Sequence, residues 1–167
     1  DIPNGLFNLV LGSGSDIGNK IATHPDIAAI TFTGSVEIGK KLYHDSSPTL
    51  KKMQMEMGSK NPLVVMDDAD LQTAITCAAN GAFGGTGQKC TASSRLIVHE
   101  NIYKEFVEGL IENIKNLKVG HALDEGTQMC PASNHNQYES NLNYVEIGKG
   151  EAKLAFGGNP MNMRTPG

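Results

Sequence analysis

The feature that most constrains this fold is an alternation of short β-prone runs with helical patterns, joined by glycine turns. A strand predicted at residues 6–11 leads through Gly12 into a helical pattern, and a strand at 28–33 leads through Gly34 into a second one. Strands that alternate with helices are typical of βαβ units, whose strands are parallel. We therefore predict an α/β protein built on parallel sheet.

The same alternation continues along the rest of the chain. Residues 52–57 alternate between polar and apolar types, with three methionines on one face and Glu56 on the other, which predicts a half-buried strand. The clearest amphipathic helix is predicted at residues 101–117, where Ile102 and Phe106 share a face. Further elements are predicted as strands at 62–66, 95–99 and 153–156 and as helices at 70–82 and 136–147.

Length, composition and charge exclude several classes of protein. The 167 residues are enough for one domain with its own core, but few for an enzyme with separate nucleotide and substrate domains. No apolar run approaches the roughly 20 residues of a membrane span, so we expect no membrane partner and a cytoplasmic location. The net charge is −4 and Lys and Arg do not cluster, so the sequence predicts no positively charged surface for nucleic acid.

The three cysteines are too widely spaced for a disulfide framework or a structural zinc site. The five histidines are scattered, so no metal site is predicted either. Cys77 lies inside a predicted helix and fits a buried, inert thiol. Cys130, beside Pro131, has no predicted task.

Cys90 and Glu56 are the candidates for chemistry. Cys90 follows loop 86–89, Thr-Gly-Gln-Lys, where glycine lets the backbone approach a ligand and Lys89 favours a thiolate. Glu56 ends a largely apolar strand just before Gly58, where a partly buried carboxylate would suit a general base. From the residues alone, Cys90 as a buried hydrophobe and Glu56 as a solvated charge stay open as alternatives.

Two glycine turns are candidates for a phosphate site. The motif Gly-x-Gly-x-x-x-Gly at residues 12–18 follows a predicted strand and resembles a dinucleotide fingerprint, but it is one residue too long. Thr33-Gly34-Ser35 is better placed, because a glycine turn that opens a helix presents N–H groups and the positive end of the helix dipole to a phosphate. A plain N-cap role for Ser35 is the alternative.

Three ordered motifs give a specific resemblance. They are Phe-Thr-Gly-Ser at 32–35 with Glu-Ile-Gly at 37–39, Glu-Met-Gly-Ser-Lys-Asn-Pro at 56–62, and Gly-Gln-Lys-Cys-Thr-Ala-Ser-Ser-Arg at 87–95. Together they resemble the aldehyde dehydrogenase superfamily, and the likeness continues through residues 145–158. It covers essentially the whole sequence but only the middle of a family member. Ser59 and Cys130 depart from it, since each stands where the family commonly has glycine.

The resemblance implies roles for the candidate residues. Cys90 is then the nucleophile that attacks the aldehyde, with its own N–H as an oxyanion donor, and Glu56 is the base that activates water. The implied cofactor is NAD or NADP. Residues that the resemblance places at the cofactor are Thr33, Gly34, Ser35 and Gly39 for the pyrophosphate motif, Gly12 and Gly18 on the adenine side, and Gln137 for a ribose contact.

The resemblance also implies a partial aldehyde dehydrogenase fold. Residues 1–57 correspond to the C-terminal part of a Rossmann-like NAD(P)-binding domain, and residues 58–167 to the N-terminal part of an α/β catalytic domain. The family's oxyanion asparagine, cofactor-ribose lysine and nicotinamide-ribose glutamate have no counterpart in the sequence. A small aldehyde as substrate and a homo-oligomer of the full-length protein are the expected partners.

The substrate class and two alternatives complete these expectations. The sequence around Cys90 and at residues 144–148 most resembles dehydrogenases of 2-oxoglutarate semialdehyde, followed by those of succinate semialdehyde. A CoA-acylating relative would resolve the thioester with a thiol and would not need Glu56. A degenerate chain or fragment that binds nucleotide without turnover is the non-enzymatic alternative.

Overall fold

The structure is a computed structural model that describes residues 2–161. It comprises two compact units, Asp1–Gly58 and Ser59–Gly167. Each unit contains a pair of parallel strands together with helices. The predicted α/β class with parallel strands is therefore confirmed, whereas the roles predicted for the two parts of the chain stay predictions.

The first unit is a βαβ arrangement. Its elements, in chain order, are a π-helical turn (Gly14–Gly18), helix α1 (Asn19–Thr23), strand β1 (Ala29–Gly34), helix α2 (Val36–Ser46), a 3-10 turn (Ser47–Thr49) and strand β2 (Lys52–Met57). The two strands pair in parallel, with Ile30 opposite Met53 and Gly34 opposite Met57. Their carboxyl ends therefore lie at one edge of the sheet.

The two faces of this sheet differ in burial, as the alternating pattern predicts. Phe32 and Met57 are half-buried, whereas Thr33 and Glu56 are exposed. Helix α2 packs on the half-buried face through Gly39, which is itself buried. A Cβ at Gly39 would lie 2.5 Å from the Met57 sulfur and 3.3 Å from a ring carbon of Phe32, so a larger residue would force these side chains to shift.

The second unit contains a buried apolar core. Its elements are strand β3 (Asn61–Val65), helix α3 (Leu71–Phe83), a 3-10 turn (Gly84–Gly87), strand β4 (Ser93–Val98), a 3-10 turn (Glu100–Ile102), helix α4 (Tyr103–Ile114) and helix α5 (His135–Glu151). Val65, Ile75 and Phe106 pack together and are at most 3% exposed. Because these residues come from β3, α3 and α4, the core joins both helices to the sheet.

Side-chain caps fix where two helices begin. The Ser35 hydroxyl accepts the Ile38 N–H at 3.2 Å at the start of α2, which confirms its predicted N-cap position. The Asp70 carboxylate accepts the Thr73 N–H at 2.7 Å at the start of α3. Side-chain and backbone hydrogen bonds from Thr73 keep the pKa of Asp70 below its usual value of 3.8.

Two of the predicted strands are wrong. Residues 6–11 are not a strand, and their five hydrophobic side chains are 65–83% exposed. Residues 153–156 are not a strand either, although Leu154 and Phe156 are apolar. A β-strand requires a neighbouring strand for its backbone hydrogen bonds, and within residues 2–161 neither segment has one. Apolar composition alone therefore overstated the number of strands.

The helices agree better with prediction. The amphipathic segment predicted at 101–117 begins as a 3-10 turn and continues as α4, and the last predicted helix is α5. In the described residues, no helix is long and apolar enough to cross a membrane. Over the same part of the chain, no three or more His, Cys, Asp or Glu side chains are grouped so that they could bind a metal ion.

Candidate active site

Cys90 lies in a tight turn between α3 and β4. The Ala92 N–H donates to the Lys89 carbonyl at 3.1 Å, so residues 89–92 form a β-turn with Cys90 at its second position. The hydrogen bond of such a turn does not use the N–H at that position, so the turn leaves it for a ligand oxygen. Cys90 is exposed, which contradicts the alternative of a buried hydrophobe. The thiol has the access that a nucleophile needs.

The 3-10 turn directly before this β-turn has an unusual backbone. Thr86 and Gly87 have positive φ angles of 61° and 66°. In a β-branched residue such as Thr86 this conformation costs about 1–2 kcal/mol. At Gly87 a Cβ would also lie 2.8 Å from the Ala82 carbonyl oxygen, so this position requires glycine. Such strain persists only where surrounding contacts fix the backbone.

Hydrogen bonds of the Thr86 and Asn61 side chains supply these contacts within the second unit. The Thr86 hydroxyl donates to the Cys130 carbonyl at 2.9 Å and accepts the Cys130 N–H at 3.2 Å. The Asn61 side-chain amide donates to the carbonyls of Cys90 and Ala92, at 2.7 and 3.2 Å. Neither role was predicted from the sequence, because the contacts join residues 44 and 29 positions apart. For Asn61 the signal available was its place inside the 56–62 motif.

The other two cysteines differ from Cys90 in their surroundings. Cys77 is exposed, so the expectation of a buried thiol is wrong. The reason is its position on α3, whose buried face contains Ile75, Ala78 and Ala79 and leaves Cys77 on another side. Cys130 is half-buried and lines a cavity of about 440 Å³ beside α5.

Glu56 lies near the carboxyl end of β2, opposite Thr33 of β1. Both residues are on the exposed face of the sheet, so the expectation that the Glu56 carboxylate is partly buried is wrong. The physical reason is the strand alternation, which directs Glu56 away from the face that α2 covers. The residue is accessible to water at the edge where β1 and β2 end.

The same edge contains the predicted phosphate site. Thr33 and Gly34 end β1, and Ser35 begins α2 as its N-cap. The first N–H groups of a helix have no intrahelical partner, and its N-terminus is the positive end of the dipole. Since α2 has 11 residues and starts at the carboxyl end of a parallel strand, this arrangement fits a phosphate of a nucleotide. The structure thus brings Thr33, Gly34, Ser35 and Glu56 together in the first unit.

The remaining predicted cofactor residues lie in other places. Gly39 is buried against Met57 and has the packing role described above. Gly12 lies just before the π-helical turn and Gly18 is its last residue, and neither has a positive φ. Gln137 lies in the first turn of α5, in the second unit, and its side-chain amide donates to Asn141 at 2.8 Å. For these residues, contact with the cofactor stays a prediction.

Comparison of the whole sequence with known families decides the family. The sequence model of the aldehyde dehydrogenase family matches residues 1–167. The chain belongs to the aldehyde dehydrogenase family. The resemblance inferred from three motifs is thereby confirmed, and the motifs at 56–62 and 87–95 lie within an aldehyde dehydrogenase sequence.

Individual relatives agree with this family. The alpha-ketoglutaric semialdehyde dehydrogenase of Bacillus subtilis is 45% identical over 158 residues, and the 2,5-dioxopentanoate dehydrogenase of Saccharolobus solfataricus is 42% identical over 161. These matches cover 94% and 95% of this chain, but 32% and 34% of the relatives. The chain therefore spans about a third of their length.

A solved structure shows the same fold. The betaine aldehyde dehydrogenase from Staphylococcus aureus in complex with NAD+ matches with a TM-score of 0.94 and 32% identity. The match covers 97% of this chain and 32% of that chain. The predicted partial aldehyde dehydrogenase fold is therefore confirmed.

Proposed function

We propose that the protein containing this chain oxidises an aldehyde to the carboxylic acid with NAD+ or NADP+, with Cys90 as nucleophile and Glu56 as base. The observation that best supports this proposal is the exposed Cys90 thiol, which lies in a β-turn fixed by side-chain hydrogen bonds. The whole chain also matches the sequence model of the aldehyde dehydrogenase family. A thiol in this state is accessible to a small substrate, and the hydrogen bonds of its turn orient it.

The first chemical step forms a bond between the Cys90 sulfur and the aldehyde carbon. The electron pair of the carbonyl π bond moves to oxygen, and the Cys90 N–H is a donor for the resulting oxyanion. A bound NAD+ or NADP+ would supply the hydride acceptor for oxidation of the tetrahedral carbon. The product on the enzyme is a thioester of Cys90.

Hydrolysis of the thioester then completes the reaction. Glu56 removes a proton from water, the water oxygen attacks the thioester carbon, and the carbon–sulfur bond breaks. The acid leaves and the Cys90 thiolate is restored. Because Glu56 is exposed, it can release this proton to solvent. The net reaction converts the aldehyde, one water and one oxidised dinucleotide into the acid, the reduced dinucleotide and a proton.

Thr33, Gly34 and Ser35 would bind the cofactor's pyrophosphate at the N-terminus of α2. Gly12 and Gly18 are proposed for the adenine side of the cofactor, and Gln137 is proposed for a ribose contact. Gly39 contributes by allowing α2 to pack tightly against the sheet, which fixes where the N-terminus of the helix lies. The proposed cofactor is NAD or NADP, and a homo-oligomer of the full-length protein is part of the proposal.

The proposed substrate is 2-oxoglutarate semialdehyde. The relatives from Bacillus subtilis and Saccharolobus solfataricus are named for this compound, under two chemical names. It is an anion, whereas the betaine aldehyde of the Staphylococcus aureus relative's name carries a quaternary ammonium. Comparing turnover of these two aldehydes therefore shows whether the substrate pocket prefers an anionic or a cationic substrate. Succinate semialdehyde, which is shorter by one keto carbon, tests the length of the pocket.

The test is NAD(P)H formation by the longest natural protein that contains residues 1–167. Cys90→Ser is expected to abolish turnover, because the weaker hydroxyl nucleophile lacks thiolate character. Cys77→Ser is the matched control, since it removes another exposed thiol and should leave turnover unchanged. Glu56→Gln should stop hydrolysis after the first round and give a burst of NAD(P)H that equals the enzyme concentration.

Three results would contradict the proposal. Turnover that survives Cys90→Ser would exclude the thioester route. Tight NAD(P) binding without turnover of any aldehyde would identify a degenerate binding protein. Formation of acyl-CoA when CoA is present would identify a CoA-acylating enzyme and remove the role of Glu56.

A further inference from the structure

We infer that Asn61 is a positioning residue for Cys90, because its side-chain amide fixes the turn in which the thiol lies. The inference rests on the proposed function of Cys90. Asn61 lies inside the motif at residues 56–62, but neither that motif nor the family resemblance implied a role for it.

The hydrogen bonds of Asn61 define the contact. Its Nδ2 donates to the Cys90 carbonyl at 2.7 Å and to the Ala92 carbonyl at 3.2 Å. An amide NH₂ group has two hydrogens, and here each has an acceptor. Because both partners are carbonyl oxygens, the amide oxygen could not replace the nitrogen, and the orientation of the side chain is determined. The two acceptors flank Thr91 at the centre of the β-turn.

The backbone of Asn61 is itself held in place. Asn61 is the first residue of β3, and Pro62 after it restricts Asn61 to extended conformations. The strand register is interrupted here, since Asn61 pairs with Ser93 but Pro62 pairs with Arg95. This register shift leaves one extra residue on β4, so the pairing of the two strands is irregular where Asn61 lies. The amide therefore projects from a fixed point toward the turn.

The turn needs this external contact. Just before it, Thr86 has the strained positive φ, and the hydrogen bonds between Thr86 and Cys130 fix only that side. Asn61 fixes the other side, at Cys90 itself. Without the amide, two carbonyls lose their donor and the Cys90 peptide can rotate, which moves both the sulfur and the N–H proposed for the oxyanion. A displacement of about 1 Å can reduce the rate of an enzyme by roughly a hundredfold.

The experiment compares Asn61→Ala and Asn61→Asp with the unchanged protein, in the longest natural chain. Asn61→Asp keeps the volume of the side chain but has no donor near neutral pH, so it tests the hydrogen bonds even if the alanine variant folds poorly. Asn101→Ala is the matched control. It also removes a side-chain amide hydrogen bond in the second unit, to Asp67 at 3.2 Å, but one outside the Cys90 turn.

The measurement is kcat per reactive Cys90, with the reactive thiols counted by alkylation and peptide mass spectrometry. We expect both Asn61 variants to lose roughly tenfold or more in kcat per reactive Cys90, with the KM for NAD(P)+ unchanged. Asn101→Ala should match the unchanged protein. A merely structural role would lower the melting temperature or the number of reactive thiols, while kcat per thiol stayed the same. That outcome would overturn the inference.

Failure of the proposed function would be recognised separately. In that case the unchanged protein would show no turnover, or Cys90→Ser would keep it. The alkylation rate of Cys90 relative to Cys77 in the same chain then tests Asn61 without any enzyme assay. We expect this ratio to change in both Asn61 variants and not in Asn101→Ala, and an unchanged ratio would overturn the inference.

Discussion

Replacing Gly87 by alanine should destabilise the loop that contains Cys90. Gly87 lies three residues before Cys90 and has a φ of 66°. A Cβ at this position would lie 2.8 Å from the Ala82 carbonyl oxygen. That oxygen belongs to the backbone of α3, so no change of side-chain rotamer can relieve the contact. Either the end of the helix or the turn must move.

The size of the effect follows from two terms. An alanine in the left-handed region costs about 1–2 kcal/mol relative to glycine. Overpacking against a rigid group adds about 1–3 kcal/mol. The expected destabilisation is therefore about 2–5 kcal/mol, concentrated in the turn that precedes the nucleophile. Because the turn also orients Cys90, kcat should fall as well.

Gly84 provides a matched control in the same turn. Its φ is −58°, and a Cβ there would meet nothing within 4 Å. Gly84→Ala should therefore be neutral, or stabilise by about 0.4–1 kcal/mol through the unfolded chain. Both variants are compared by thermal melts followed by circular dichroism and by kcat for aldehyde oxidation. Equal melting temperatures and equal kcat values in the two variants would refute the requirement for glycine at Gly87.

Two further predictions concern the helix N-termini. Ser35→Ala should destabilise α2 by about 1 kcal/mol and raise the KM for NAD(P)+. Ser35→Asp should keep the cap but raise that KM further, because its carboxylate repels the pyrophosphate. Equal KM values for the two variants and the unchanged protein in steady-state kinetics would contradict the phosphate site. Hydrogen bonds from Thr73 lower the pKa of Asp70 below 3.8, so its contribution to stability is complete above that value and disappears as the pH falls through the lowered pKa. The difference in melting temperature between the unchanged protein and Asp70→Asn should therefore shift with acidification, and a constant difference would contradict this linkage.

Local sequence determined the elements that depend on nearby residues. The N-caps at Ser35 and Asp70 are specified within four residues, and the alternation at 52–57 placed the methionines and Glu56 on opposite faces. These rules are local because a cap bonds to its own helix, and successive side chains of a strand point to opposite faces. The ordered motifs were equally local, and they were sufficient to recognise the family.

Strand existence was less predictable than helix existence. The apolar residues at 6–11 and 153–156 have the composition of strands, yet in the described residues they have no strand partner. A helix forms its hydrogen bonds within one segment, whereas a strand needs a second segment that local composition does not supply. The same limit explains the exposure of Cys77 and Glu56, because burial depends on which element packs against each face.

The sequence by itself therefore determined the α/β class, the caps, the glycine turns and the identities of the candidate residues Cys90 and Glu56. Tertiary structure decided how the Cys90 turn is fixed. Asn61 contacts Cys90 from 29 positions away in the sequence, and Cys130 contacts Thr86 from 44 positions away. Such contacts depend on where β3 and the loop before α5 lie after folding, which no local pattern specifies. The motif therefore identifies Cys90 as the candidate nucleophile, whereas the packing of the second unit determines where Cys90 lies.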